Sequence, residues 1–176
     1  MDTLPDRKTI RLKGFDYSRG GGYFVTICCR HGQHRFGEIV PIDGDTAANE
    51  ITAPTWRVEY NEFGRIVIDE LEQMERRFPG TTMAGHMVMP NHVHFMLIND
   101  DTSRHTLSEI VRRFKMGVSR RCIQQCNEGG GWMNPLWQRS FYEHVVRSNG
   151  ECRNMLRYMY ENPMRWAVKH DTAPTT

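Results

Sequence analysis

The fold of this chain is decided by the stretch Met89-Pro90-Asn91-His92-Val93-His94-Phe95-Met96-Leu97-Ile98. Its Pro-Asn pair is a turn signal, and the aromatic and β-branched residues after the turn favour a strand. Residues 81–89, before the turn, also read as a strand, so the two segments predict a β-hairpin. Side chains alternate along a strand, so His92 and His94 are expected on one face and the apolar residues between them on the other.

The segments before the hairpin predict strands followed by a helix. Residues 23–29 are aromatic and β-branched, which predicts a strand too apolar for an exposed edge, and residues 35–40 are expected to return as its hairpin partner. Residues 41–55 contain glycine and proline signals and predict a loop. A helix capped by Asn61 and ended by Pro79 is expected next, because apolar residues recur there at i, i+3 and i+4.

The segments after the hairpin complete the order of elements. Residues 107–123 carry one apolar helical stripe, and residues 141–146 read as a strand. Ser148, with Glu151 three positions later, forms a capping box for a last helix, which is expected to end near Asn162 because a proline follows. The order β-β-α-β-β-α-β-α predicts an α+β sandwich with an antiparallel or mixed sheet and helices packed mainly on one face.

Length and composition bound the kind of protein. The 176 residues suit one domain, and 23 basic against 21 acidic side chains leave a net charge of only +2. We expect a basic flexible arm at residues 1–22, the domain at residues 23–169 and a tail at residues 170–176. Without an apolar run of membrane length or a signal-peptide pattern, we expect a cytoplasmic protein with no membrane contact. The five cysteines predict reduced thiols.

The histidine pair is a candidate site for a divalent metal. Two imidazoles on one strand face can both bind a cation, and such a cation can polarise a phosphoryl oxygen. The other interpretation is a pair of ordinary strand histidines. Met96 takes the next position on that face, which argues against a three-histidine nucleotide hydrolase. His86 is expected on the opposite face, in a structural role.

The last predicted helix offers a phenol and an amide on one face. Tyr158 and Asn162 are four residues apart and share that face, whereas Tyr160 points elsewhere. A phenolate can attack phosphorus and form a covalent intermediate, and an amide oxygen can bind a hard cation. The alternative is that Tyr158 is a core aromatic.

Three motifs in one order resemble a known family. They are Met89-Pro90-Asn91-His92-Val93-His94, then Trp137-Gln138-Arg139-Ser140-Phe141-Tyr142-Glu143-His144, then Tyr158-Met159-Tyr160-Glu161-Asn162-Pro163. Together they resemble the single-tyrosine HUH transposases, and most of all the branch of REP-associated tyrosine transposases. The resemblance implies a ferredoxin-like α+β fold with an antiparallel sheet, and it makes residues 23–169 a single HUH transposase-like catalytic domain.

The resemblance also implies an activity and roles for residues. The activity is cleavage and joining of single-stranded or hairpin DNA with Mg²⁺ or Mn²⁺. His92 and His94 become metal ligands, and Tyr158 becomes the nucleophile that forms a 5′-phosphotyrosine, with Tyr160 as the alternative. Asn162 stands where relatives place a third ligand, often a glutamine. Relatives act as homodimers or alone, and a monomer is favoured here.

Basic and aromatic side chains give candidate DNA contacts. Arginine and lysine cluster beside the apolar stripe of the helix at residues 107–123, where they could track phosphates or form an ordinary solvated face. Trp132, Trp137, Phe141 and Tyr142 could stack on unpaired bases or complete the core. The predicted DNA-binding residues are Arg104, Arg112, Arg113, Lys115, Arg120, Arg121 and Arg139.

Three functions are therefore in competition. The first is a metal-dependent DNA transposase or nickase that works through Tyr158. The second is a relative that binds hairpin DNA without catalysis. The third is a metal-dependent phosphodiesterase that uses water as its nucleophile.

Overall fold

The computed structural model describes residues 21–42, 56–129 and 135–170. Residues 1–20 of the arm predicted at residues 1–22, most of the loop predicted at residues 41–55, and residues 171–176 of the tail predicted at residues 170–176 lie outside the described residues. The last two residues of the predicted arm, Gly21 and Gly22, belong to the first strand. The elements in chain order are β1 (Gly21–Cys28), β2 (Gly37–Pro41), β3 (Trp56–Tyr60), α1 (Glu62–Glu72), α2 (Met74–Arg77), β4 (Thr81–Met89), β5 (His92–Asn99), α3 (Leu107–Glu128), β6 (Tyr142–Val146) and α4 (Asn149–Lys169).

The main sheet has four strands in the order β4-β5-β1-β6, and every neighbouring pair is antiparallel. The predicted hairpin is present as β4 and β5, and β1 is an interior strand, as its apolar sequence required. Two β-α-β halves that interleave in this order form the ferredoxin-like arrangement. The predicted α+β class with an antiparallel sheet is confirmed.

The two faces of the sheet have different partners. One face carries fully buried side chains such as Tyr23, Val25 and Phe95, which form one core with α1, α2 and α3. The Phe95 ring meets the Phe114 ring of α3 at 5.7 Å between centroids. The other face is covered by α4, so the helices lie mainly on one side, as expected, with α4 alone on the other.

Local signals in the sequence explain where the helices begin. The Asn61 side chain accepts a hydrogen bond from the Gly64 N–H at 3.0 Å, which caps α1. Ser148 accepts from the Glu151 N–H at 3.2 Å and caps α4. Such caps satisfy backbone donors that the first helical turn leaves unpaired. Both predicted caps are therefore present.

One expectation about the strands is wrong, and one strand was not predicted. Residues 35–40 were expected to pair with the first strand, but β2 pairs with β3 in a separate two-stranded sheet. The strand β3 lies in a segment for which the sequence predicted no element. The strand β1 pairs with β5 on one side over residues 21–28 and with β6 on the other over residues 22–26, so the places beside it are already taken.

The predicted end of the last helix is also wrong. It was expected to end near Asn162, but α4 continues through Pro163 to Lys169. Pro163 and Ala167 are buried, so the apolar stripe of α4 extends past the proline. Burial of that stripe offsets the hydrogen bond that proline removes. Within the described residues, no helix has the length and apolar character needed to cross a membrane.

Candidate active site

The two histidines of β5 lie side by side on the face that α4 covers. Their Nε2 atoms are 3.1 Å apart, and their ring centroids are 4.6 Å apart. His94 is only 5% exposed, and His92 is partly buried. The pair therefore directs two ring nitrogens at one point under α4.

The other nitrogen of each ring is held by a neighbour. The Nδ1 atom of His92 lies 2.7 Å from Oδ1 of Asn91, and the Nδ1 atom of His94 lies 2.8 Å from the hydroxyl of Thr26 on β1. An amide oxygen only accepts, so this contact suits the His92 tautomer that carries its proton on Nδ1 and has a lone pair on Nε2. A hydroxyl can donate or accept, so Thr26 suits either tautomer of His94.

Burial keeps both imidazoles neutral. Desolvation lowers the pKa of His92 to about 4. Desolvation, reinforced by the neighbouring His92, lowers the pKa of His94 to about 3. Near pH 7 both rings are therefore uncharged bases, which is the form that binds a metal.

This donor set fits a six-coordinate divalent cation. Two adjacent ligands at ~2.1 Å from an octahedral ion are about 3.0 Å apart, close to the separation of the two Nε2 atoms. Ligating histidines also commonly bond their second nitrogen to an oxygen, as both rings do here. Among the described residues there is no cluster of three or more His, Cys, Asp and Glu side chains that could hold a metal. A third protein ligand among them must therefore be of another type.

The helix α4 places three side chains along the histidine pair. The Tyr158 ring packs edge-on against His94, with centroids 5.8 Å apart, and against Phe24 at 6.3 Å. Eight residues later the Trp166 ring lies 5.9 Å from His92. Asn162 is four residues from each of these two residues, so its side chain shares their helical face.

Asn162 has an unusual environment for an amide. It is 7% exposed, and its buried Nδ2 atom finds no hydrogen-bond partner among the described residues. Nitrogen and oxygen of an amide exchange places by a flip, so either atom can occupy that position. A buried amide end without a partner costs free energy unless something binds it. Asn162 is therefore a suitable third metal ligand.

The two tyrosines of the predicted nucleophile motif lie on different flanks of α4. Tyr158 faces His94, as described. The Tyr160 hydroxyl approaches Gly85 of β4 on the other flank, 3.9 Å from the point where a Cβ would stand. The structure thus brings Tyr158, and not Tyr160, to the histidine pair. His86 lies in register with Phe95, whereas Met87 lies opposite His94, as expected from the turn.

The predicted DNA-binding residues lie mostly on α3, across the sheet from the histidine pair. Lys115 donates to the backbone carbonyl of Gln138 at 2.6 Å, and burial lowers its pKa. Arg121 pairs with Asp69 of α1 at 2.9 Å, and Arg113 pairs with Glu109 at 2.7 Å. Their role in DNA binding stays a prediction. The exposed members of the set are Arg104, Arg112, Arg113, Arg120 and Arg139.

The four candidate stacking aromatics separate into core and surface. Trp137 is 8% exposed and packs against Phe36, with centroids 5.3 Å apart. Phe141 is partly buried against the same core, and Tyr142 is 50% exposed. Trp132 lies outside the described residues.

Sequence reasoning missed three residues of the site. Thr26 supports His94 from another strand, and only the strand register reveals that contact. Trp166 was hidden because the helix was expected to end before it. Asn91 was interpreted only as part of the Pro90-Asn91 turn, so its contact with His92 was not predicted.

Three comparisons place the chain among known proteins. A family profile described as “Transposase IS200 like” matches residues 68–162, more than half of the chain. A Haemophilus influenzae protein described as uncharacterised is 26% identical over 180 residues, covering 91% of this chain and 89% of its own length. A second Haemophilus influenzae protein, provisionally named a REP-associated tyrosine transposase, is 26% identical over 155 residues, covering 85% of this chain and 74% of its own length.

A solved structure agrees with the fold. It is a REP-associated tyrosine transposase bound to a REP hairpin, and it aligns with a TM-score of 0.55 at 19% identity. The alignment covers 84% of this chain and 68% of that chain. At this level of identity the likeness supports a shared fold.

Proposed function

Since the chain belongs to the IS200-like transposase family, we propose that it cleaves and rejoins single-stranded DNA at hairpin sites through Tyr158. One observation carries this proposal. The Tyr158 ring packs against His94 of the histidine pair, 5.8 Å between centroids, and is still 43% exposed. A phenol in that position is close to the histidine pair and accessible to a DNA strand.

The reaction needs no external energy source. The Tyr158 oxygen attacks the phosphorus atom in line and forms an O–P bond as the bond to the 3′ oxygen breaks. The phenol loses its proton, and the departing 3′ oxygen gains one. The product is a 5′-phosphotyrosine, and attack by a second 3′-hydroxyl reverses the step. The phosphodiester energy is retained in the covalent link.

His92, His94 and Asn162 are the residues that would hold Mg²⁺ or Mn²⁺. When bound, the ion supplies positive charge that polarises a phosphoryl oxygen. Asn91 and Thr26 orient the two rings, and α4 fixes the phenol and the amide on one rigid element. Positioning of this kind accounts for much of the rate enhancement in phosphoryl transfer.

Two features support the DNA partner and the monomer. The solved structure whose fold is similar to that of the present chain is bound to a REP hairpin. The tyrosine and the histidine pair meet within a single chain, so no second copy is needed to assemble this set of residues. We therefore propose a hairpin-bearing single strand as the substrate and a monomer as the acting species.

A denaturing gel tests the proposal. The purified chain is incubated with Mn²⁺ and end-labelled hairpin DNA that carries single-stranded flanks. A covalent protein–DNA adduct is expected from the wild type and from Tyr160→Phe, and none from Tyr158→Phe. His92→Ala should keep its fold by circular dichroism but lose metal-dependent cleavage.

Other results favour the rival functions. Cleavage without an adduct would indicate a phosphodiesterase that uses water. Hairpin binding without cleavage under Mg²⁺ or Mn²⁺ would indicate a non-catalytic DNA-binding relative. Loss of the adduct in Tyr160→Phe but not in Tyr158→Phe would overturn the assignment of the nucleophile.

A further inference from the structure

A strip of the sheet beside α4 is left partly open. It consists of Phe24 and Thr26 of β1 together with Tyr142 and His144 of β6, and we name it the α4–β6 surface. Phe24 and Thr26 are partly buried, whereas Tyr142 is 50% exposed. The His144 side chain is 52% exposed. The strip therefore presents a largely aromatic surface to solvent.

The strand register places this surface on the active face. Thr26 lies opposite Tyr142, and Phe24 lies opposite His144. Directly opposed residues of antiparallel strands share a face, and the Thr26 hydroxyl is the group that bonds His94. Tyr142 is therefore two strands from His94, about 10 Å away at the usual strand spacing. The surface is continuous with the histidine pair.

A positively charged side chain of α4, Arg165, lies beside this surface. The Arg165 guanidinium is over the Tyr158 ring, 5.7 Å from its centroid, and its side chain is 58% exposed. It pairs with Glu161 one turn earlier, at 2.7 Å. An exposed pair of this kind is weak and gives way readily to a better anion.

The carboxylate of Glu151, beside His144, already has partners. Glu151 binds the His144 imidazole at 2.6 Å and accepts from the Arg147 N–H at 2.7 Å. These contacts lower the pKa of Glu151 and satisfy its carboxylate. The Glu151 carboxylate is therefore occupied, whereas the Arg165 guanidinium over Tyr158 is exposed.

We propose that the DNA strand carrying the scissile phosphate lies across the α4–β6 surface, with one unpaired base stacked on Tyr142 and a phosphate bound by Arg165. This inference rests on the proposed function, because it assigns the path of that substrate. Exposed aromatics combined with a cation are the usual features of single-strand binding, since only unpaired bases offer a free π face. The basic side chains of α3, in contrast, lie on the opposite side of the sheet from Tyr158.

Fluorescence anisotropy tests the path without any catalytic step. The probe is fluorescein-labelled oligodeoxythymidine, measured without metal over a range of salt concentrations. Tyr142→Ala should weaken binding roughly 5- to 150-fold, the usual effect of losing one base–aromatic stack. Tyr142→Phe keeps the ring and should bind within about 2-fold of the wild type. Arg165→Gln should reduce the slope of log K against log salt by about 0.7.

The matched control is Arg153→Gln, an exposed arginine on the same helix. Arg153 is seven residues before Tyr160, so it lies on the flank that faces β4 rather than β6. Its loss should change neither the affinity nor the salt slope. The proposal is overturned if the wild type does not bind the probe, if Tyr142→Ala binds as the wild type does, or if Arg153→Gln has the larger effect.

The strand path and the covalent mechanism can be tested independently of each other. A chain that binds the probe through Tyr142 but forms no adduct with hairpin DNA keeps the strand path and loses the covalent mechanism. A chain that forms the adduct at Tyr158 but is insensitive to Tyr142→Ala in both assays keeps the mechanism and loses the path.

Discussion

The hydroxyl of Thr26 should control metal affinity, although it is not itself a ligand. Thr26→Val removes the group that lies 2.8 Å from His94 Nδ1 and keeps the β-branched shape of the side chain. The His94 ring is then left with a partly buried nitrogen that has lost its partner. Such a loss costs ~1–3 kcal/mol, and every 1.4 kcal/mol corresponds to about 10-fold in affinity. We therefore expect Mn²⁺ to bind roughly 10- to 100-fold more weakly.

The assay measures the metal directly. Titration of Mn²⁺ into the purified chain, followed by the electron paramagnetic resonance signal of the free ion, needs neither DNA nor turnover. Thr82→Val is the matched control, because Thr82 is exposed at the far end of the same face of the sheet, opposite Ile98. If Thr26→Val binds Mn²⁺ as tightly as the wild type while His92→Ala does not bind it, the argument from the supporting hydrogen bond is wrong.

Three further predictions concern stability. The pKa values of His92 and His94 in the folded chain lie below 6.5, so the unfolded chain binds more protons below that pH. The Tm should therefore fall as the pH is lowered from 7 towards about 4, and it should fall less in His92→Asn. A Tm that does not change with pH would contradict the burial argument. Gly64→Ala should lower the free energy of unfolding by ~1–3 kcal/mol in urea titrations despite the better helix propensity of alanine, because its Cβ would overlap the Phe36 carbonyl oxygen; a gain in stability would show that α1 can move away. Ser148→Ala should cost about 1 kcal/mol in the same titration through loss of the α4 cap, and an unchanged midpoint would exclude that role.

Local chemistry made most of the fold predictable. The Pro90-Asn91 turn, the Asn61 and Ser148 caps and the apolar periodicity depend on residues close in sequence, and these elements form where the sequence predicted them. The pairing of β2 with β3 depends on partners separated by an intervening segment, and the sequence of β2 favours neither partner. Pro163 misled the prediction because burial of Ala167 and its neighbours outweighs one missing hydrogen bond.

The candidate site divides in the same way. The alternation of β5 and the spacing of α4 put His92 with His94 and Tyr158 with Asn162. That the two pairs face each other follows from packing of α4 on the sheet, which no local pattern encodes. The support from Thr26 and the surface at Tyr142 both depend on the register of β1 with its two neighbours. Residue-level signals therefore identified the candidate groups, and tertiary structure identified their partners.

The separation of the two sheet faces has a consequence for how such a chain can diverge. The apolar core lies with α1, α2 and α3, whereas the candidate chemistry lies under α4 on the reverse side. Tyr158 is 43% exposed, so its replacement removes little buried apolar area, and a descendant could lose the proposed strand-transfer activity in one step and still fold. The residues that form the core and the residues of the candidate site can therefore change largely independently of each other.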